Sequence, residues 1–163
     1  MRIGFGYDVH AFSPNRPLWL GGIAIPSPVG LEGHSDADVL IHALCDALLG
    51  AASMRDIGYH FPDTAGNEFE NIDSKILLRQ VMEMLREQRY ALVNCDCTVC
   101  AQRPKLSPYI PQMQECLAAV MGVQADQVSI KATTTEHLGF VGREEGMAAY
   151  AVVLIEKRVE KDE

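Results

Sequence analysis

The chain has 163 residues, of which 48% are hydrophobic and 22% charged, and its formal net charge is −8. Those proportions describe one globular domain and exclude a disordered chain, which would lack the apolar residues to bury. With 22 acidic against 14 basic side chains, a diffuse basic surface for nucleic acid or anionic membrane is excluded as well.

Residues 1–10 alternate, with Ile3, Phe5, Tyr7 and Val9 odd and Gly4, Gly6, Asp8 and His10 even. That pattern predicts a strand presenting Asp8 and His10 on the same side. Leu18-Trp19-Leu20-Gly21-Gly22-Ile23-Ala24-Ile25 predicts a tight hairpin with glycines at its turn. A helix is predicted over residues 35–52, with Ser35 as cap and Asp38 three residues on. Its core face is Leu40, Leu44 and Leu48 with Ala43, Ala47 and Ala51; Asp38, His42 and Asp46 recur every four residues on another face. A second helix, over residues 73–88, buries Leu77, Val81, Met84 and Leu85. A third begins with Ser107 as cap and Pro108 at the first helical position, buries Ile110, Met113, Leu117 and Val120, and stops at Gly122.

Residues 91–100, 127–134 and 147–156 predict strands, the last apolar throughout and therefore central. The expected fold class is α+β: a mixed β-sheet with α-helices packed on one face. Residues 1–157 read as a single domain and 158–163 as a charged, frayed tail. No apolar run reaches transmembrane length and the first residues carry no signal core, so the expected location is the cytoplasm. Five cysteines, an odd count, read as reduced thiols, and Cys95, Cys97 and Cys100 lack the second pair that a four-cysteine metal site requires.

The chemistry concentrates in a few segments. Asp8 and His10 on a strand, with His42 on a helix that could face it, offer one carboxylate and two imidazoles, a three-ligand set with a fourth position open. Asp38 and Asp46, one turn either side of His42, could orient its ring. The plain alternative is a surface Asp–His pair and an unrelated helical histidine. The turn Gly33-His34-Ser35-Asp36-Ala37-Asp38 leads into the helix, where N–H groups and the dipole suit an anion. It also reads simply as a good cap. Thr133, Thr134, Thr135 and Glu136 at a strand end could bind diphosphate oxygens and a hard cation, or merely reflect β-propensity before a turn. No nucleophile elbow, phosphate-binding glycine loop or dinucleotide motif occurs, so a nucleophile would be water or part of the substrate.

Taken together, Gly6-Tyr7-Asp8-Val9-His10, His34-Ser35-Asp36-Ala37-Asp38, His42-Ala43-Leu44, Asp56-Ile57-Gly58, Phe61-Pro62-Asp63-Thr64 and Lys131-Ala132-Thr133-Thr134-Thr135-Glu136 occur in one order with one spacing. In this the chain closely resembles the 2-C-methyl-D-erythritol 2,4-cyclodiphosphate synthase family, from Met1 to about Lys157. The resemblance implies release of CMP from 4-diphosphocytidyl-2-C-methyl-D-erythritol 2-phosphate with closure of a cyclic diphosphate, in non-mevalonate isoprenoid synthesis. It implies zinc on Asp8, His10 and His42, and magnesium or manganese on Glu136. His34 and Thr134 would stabilise the transition state. The resemblance also makes Asp8, Val9, His10, His34 and Ser35 substrate contacts. Asp56, Ile57 and Gly58 would meet polyol hydroxyls, and Phe61, Pro62, Asp63, Thr64 and Ala65 would flank the methylerythritol phosphate. Ala101, Gln102, Arg103, Pro104, Lys105, Leu106 and Ser107, with Thr133, would form the cytidine pocket, joined by Thr134, Thr135, Glu136, Phe140 and Arg143. It implies a homotrimer with active sites between subunits. Phe5, Tyr7 and Tyr150 stand where relatives differ, near the cavity on the trimer axis.

Overall fold

The computed structural model describes residues 1–62 and 72–158. The expected contacts at Asp63, Thr64 and Ala65, and the tail beyond Arg158, lie outside those residues. A five-stranded mixed sheet carries the fold, in the order β4-β1-β7-β5-β6. Its strands are β1 (Arg2–Ser13), β4 (Gly30–Leu31), β5 (Tyr90–Cys100), β6 (Val128–Thr133) and β7 (Gly146–Lys157). As its apolar run implies, β7 is central and antiparallel to both β1 and β5, while β5 and β6 pair in parallel. The hairpin of β2 (Leu18–Leu20) and β3 (Ile23–Ile25) stands apart, and its turn residues Gly21 and Gly22 both take positive φ, the conformation of a tight hairpin turn.

The helices α1 (Val39–Ala51), α3 (Ser74–Glu87) and α4 (Ile110–Met121) cover one face of the sheet; α2 (Ile57–His60) and α5 (Gly139–Gly142) are single turns. The core lies between, with Leu40, Leu44 and Leu48 of α1 against Cys95, Cys97 and Val99 of β5 and Ala149, Ala151 and Val153 of β7. All five cysteines are free thiols, as expected.

The contact that positions the rest is α1 on β1. A Cβ on Gly4 would sit 1.9 Å from the Ala47 carbonyl oxygen, and one on Gly6 1.9 Å from that of Ala43. The two glycines therefore let the helix lie directly on the strand backbone. Their spacing matches: two strand residues advance about 6.7 Å and four helix residues about 6.0 Å. Stepping along β1 from Gly4 to Gly6 steps back along α1 from Ala47 to Ala43, and the next inward position, Asp8, faces the turn that holds His42.

The structure departs from the sequence reading at the start of α1, in the buried row of α3 and at the start of α4. The helix α1 begins at Val39 rather than 35, because Asp38 is the N-cap, its carboxylate accepting from Ile41 N–H at 3.1 Å. Asp38 is also fully buried and accepts from the N–H groups of Gly21 (3.0 Å) and Gly22 (2.7 Å), which the local sequence does not foretell. On α3 the buried row is Ser74, Leu77, Leu78, Val81, Met82 and Leu85, with Met84 only half-buried. Ser107 makes no side-chain cap; residues Ser107–Tyr109 form a 3₁₀ turn, and α4 follows and ends at a left-handed Gly122. In an α-helix capped at Ser107, Pro111 would lack the N–H needed to bond back to the Ser107 carbonyl, whereas Pro108 at the first position would lose nothing.

Candidate metal centre

Asp8 and His10 project from the inner side of β1, and α1 delivers His42 to them. One oxygen, Asp8 Oδ2, lies 2.9 Å from His10 Nε2 and 3.1 Å from His42 Nδ1. The two ring nitrogens are 3.2 Å apart. The three ligand atoms fall within 4.8 Å of one another, the one such grouping of His, Cys, Asp and Glu among the described residues. Burial pushes the Asp8 carboxyl up, but the hydrogen bonds and charges of His10 and His42 outweigh it and hold the pKa at about 2. Burial likewise lowers His10, and the hydrogen bond and charge of Asp8 overcome that and raise it. A cluster that concentrates electron pairs this closely needs a proton or a cation at its centre, and a carboxylate with two imidazoles is a donor set that suits zinc. The His10 ring is already oriented for a metal: Nδ1 is 2.6 Å from the Glu32 carbonyl oxygen, so it carries the proton and Nε2 presents its lone pair.

Asp38 and Asp46 do not orient His42, contrary to the expectation from their helical spacing. Asp38 faces the hairpin, and Asp46 accepts from Ile57 N–H at 2.8 Å. The His42 Nε2 instead meets two hydroxyls, Ser35 Oγ at 3.1 Å and Ser74 Oγ at 3.0 Å. Sequence reading missed Ser74, because a serine opening a helix looks like capping. Three of the N–H groups expected to be free at the 33–38 turn are engaged instead. Those of Ala37 and Asp38 donate to Ser35 and Asp36, and that of Asp36 to the Ile72 carbonyl.

The trio opens on a cleft of about 240 Å³ lined by His34, Ser35, Ile57, Gly58 and Phe61, all expected, by Gly33 of the turn read as a candidate anion site, and by Ile72 and Leu77, which no motif marked as site residues. Asp56 caps α2 by accepting from Tyr59 N–H. A second cleft, of about 600 Å³, is lined by residues 101–107 with Ala132, Thr133 and Thr134. Thr133 Oγ1 donates to the Thr134 carbonyl, and Thr134 Oγ1 accepts from Glu136 N–H. Two strands lie between β1 and β6, so this cleft stands three strand spacings from the metal trio, roughly 14 Å. Glu136 is not part of the trio. Phe140 and Arg143 line neither cleft, and Arg143 pairs with Glu145 at 3.1 Å.

The model of the YgbB family matches residues 1–156. The chain belongs to the YgbB family. Its relatives include 2-C-methyl-D-erythritol 2,4-cyclodiphosphate synthase of Parabacteroides distasonis, 68% identical over 96% of this chain and 97% of the relative, and that of Bacteroides thetaiotaomicron, 64% identical over 96% and 98%. Among solved structures, the bifunctional IspDF from Campylobacter jejuni superposes with a TM-score of 0.93 at 45% identity; the match covers 96% of this chain but 42% of that one. IspF of Plasmodium falciparum, in a CDP complex, gives a TM-score of 0.85 at 32% identity, covering 97% of both chains. The resemblance read from the motifs is therefore borne out. So is the α+β mixed sheet. No helix among the described residues of this YgbB-family chain is long and apolar enough to cross a membrane.

Proposed function

We propose that this chain is a 2-C-methyl-D-erythritol 2,4-cyclodiphosphate synthase. The reading rests above all on the Asp8–His10–His42 trio, open on one side to a cleft. In the reaction, an oxygen of the substrate's own 2-phosphate bonds to the β-phosphorus. The bond from that phosphorus to the bridging oxygen breaks, and CMP departs with the electron pair. No protein nucleophile is required, which suits a chain without one. Divalent ions, zinc on the trio and magnesium or manganese at Glu136, would supply positive charge to the diphosphate oxygens.

The residues supply position and electrostatics, the main levers in phosphoryl transfer. His34 and Thr134 donate to oxygens on which charge develops. Ser35 holds the β-phosphate beside the trio. Asp56, Ile57 and Gly58 receive the polyol hydroxyls, with Phe61 and Pro62 packing beside them. Residues 101–107 and Thr133 hold the cytidine, and Thr135, Phe140 and Arg143 add contacts at its phosphates. These local charges outweigh the diffuse net charge of −8.

In one protomer the two clefts stand roughly 14 Å apart across β7 and β5, so the diphosphate at the trio and a cytidine in the second cleft of the same chain would require a fully extended substrate rather than one folded back on itself. A homotrimer resolves this, each metal trio meeting the cytidine pocket of a neighbour. The outer face of the sheet favours such assembly. Phe5 is 62% exposed there, its ring 6.3 Å from that of Tyr150, which in turn lies 5.1 Å from Tyr7.

Incubation with the cytidine substrate, zinc and magnesium is expected to yield CMP and the cyclic diphosphate in equal amounts. A linear phosphate product would show instead a phosphoesterase using water, and would overturn the assignment.

A further inference from the structure

We propose that Asp36 and Ser74 form a positioning relay that sets the tautomer and ring orientation of His42, so that its Nδ1 lone pair faces the metal. The inference rests on the metal site of the proposed function and extends it to two residues outside that site's ligand set. Its starting point is Asp36. That carboxylate accepts from the Ser74 N–H at 2.9 Å, from the Asp38 N–H at 3.1 Å and from the Ser74 hydroxyl. A carboxylate holding three donors acts as acceptor alone, so the single Ser74 hydroxyl proton goes to it. What Ser74 Oγ presents on its other side is a lone pair.

The atom on that other side is His42 Nε2, at 3.0 Å. Facing a lone pair, Nε2 carries the ring proton. The second hydroxyl near it is compatible with this: Ser35 Oγ accepts from the Ala37 N–H at 3.1 Å and keeps a second lone pair for the same nitrogen, 3.1 Å away. With the proton held at Nε2, Nδ1 keeps its lone pair, and Nδ1 is the nitrogen that faces Asp8 and His10. His10 is set by a backbone carbonyl in the same sense. Each imidazole of the trio thus has its far nitrogen tied down and its near nitrogen deprotonated.

Burial makes the relay selective. Ser74 is fully buried and His42 is 7% exposed, so water cannot replace a lost hydroxyl at little cost. The relay also joins two parts of the cleft. Asp36 N–H donates to the Ile72 carbonyl at 3.1 Å, which docks the start of α3 on the turn carrying His34 and Ser35. A serine at the first position of a helix would otherwise need no partner 32 or 38 residues away.

Zinc affinity, measured by competition with a chromophoric chelator, and the visible spectrum of the cobalt(II)-substituted protein both read this relay without turnover. Ser74→Ala is expected to weaken zinc binding about 10- to 100-fold and to alter the cobalt ligand-field bands, with the metal-free Tm little changed. Asp36→Asn is expected to weaken zinc binding in the same direction. The double variant should lose no more than Ser74→Ala alone, because both act through one hydroxyl proton. Zinc affinity of Ser74→Ala within twofold of wild type overturns the relay, and so do losses that add. If Ser74→Ala fails to fold, Asp36→Asn decides on the same readouts, unchanged affinity overturning the proposal. Wild-type protein that takes up no zinc overturns the metal site and the relay together. Wild type that binds zinc but makes no cyclic product overturns the reaction alone, and the variants still judge the relay.

Discussion

Asp8 Oδ2 meets both imidazoles of the trio, so each histidine is held by the same oxygen and the loss of either leaves a half-buried charge underpaired. His42→Ala removes one ligand and opens the site to water. Zinc content measured by atomic absorption should fall to background, and turnover should fall at least about 100-fold, with the assembled state unchanged. Full activity in a metal-verified sample would count against the assignment. The same cluster sets a pH dependence in chelator-treated protein. Asp8 titrates at about 2 when folded against an ordinary 3.8, so it favours the folded state above about pH 4, and that contribution is lost as pH falls through about 2. The shift corresponds to about 2 kcal/mol. His10 runs the other way: its folded pKa is raised, so its contribution is complete below its ordinary 6.5 and is lost as pH rises through the raised value. The metal-free Tm should therefore peak between about pH 4 and pH 6.5. Zinc, taking the place of the shared proton, should extend that plateau upward. A metal-free Tm that is flat from pH 3 to pH 9 would contradict both shifts.

At the scale of elements, the seat of α1 on β1 decides where His42 lies. Gly6→Ala would place a Cβ 1.9 Å from the Ala43 carbonyl oxygen, a backbone atom that cannot rotate away. The helix must lift, and urea denaturation should show a loss of about 3 kcal/mol. Zinc affinity should fall in the same variant, because the lift begins at Ala43, the residue next to His42; weakened stability with intact zinc binding would separate the seat from the site. Asp46→Ala leaves the Ile57 N–H without its partner, at a cost of about 1–2 kcal/mol. Its effect should appear in KM more than in zinc content, since Ile57 and Gly58 line the cleft while Asp46 touches no ligand. Much of this was legible in the chain. Strand alternation put Asp8 and His10 on one side, and the Gly4, Gly6 and Ala43, Ala47, Ala51 spacings are visible once strand and helix are set together. The start of α1 was not legible, since Ser35 and Asp38 are both capping residues. The choice falls to Asp38 because a distant hairpin offers it two more N–H groups. Ser74 was hidden for the same reason: its partners, Asp36 and His42, are 38 and 32 residues away.

For the whole molecule, the decisive feature is the sheet face that carries no helices. Ile3, Phe5, Tyr7 and Val9 of β1 point outward there, beside Tyr150 and Val152 of β7, in a register that pairs Tyr7 with Tyr150 and Phe5 with Val152. A continuous strip of this kind is rare on a monomer, and covering it gains about 25 cal/mol for each Å² removed from water. Phe5→Glu introduces a charge at the middle of the strip. It leaves the core untouched, because that side chain is already 62% exposed in the protomer. Light scattering should show the proposed trimer giving way to monomers. Zinc should still bind, since all three candidate ligands come from one chain, but under the proposed assembly turnover should collapse because the cytidine pocket of a neighbour is no longer alongside. Mixing Phe5→Glu protein with excess His42→Ala protein should restore little activity if the charge blocks association. A monomer with wild-type turnover would mean that one chain holds the whole site, and the separation of the two clefts across β7 and β5 would then have no functional meaning.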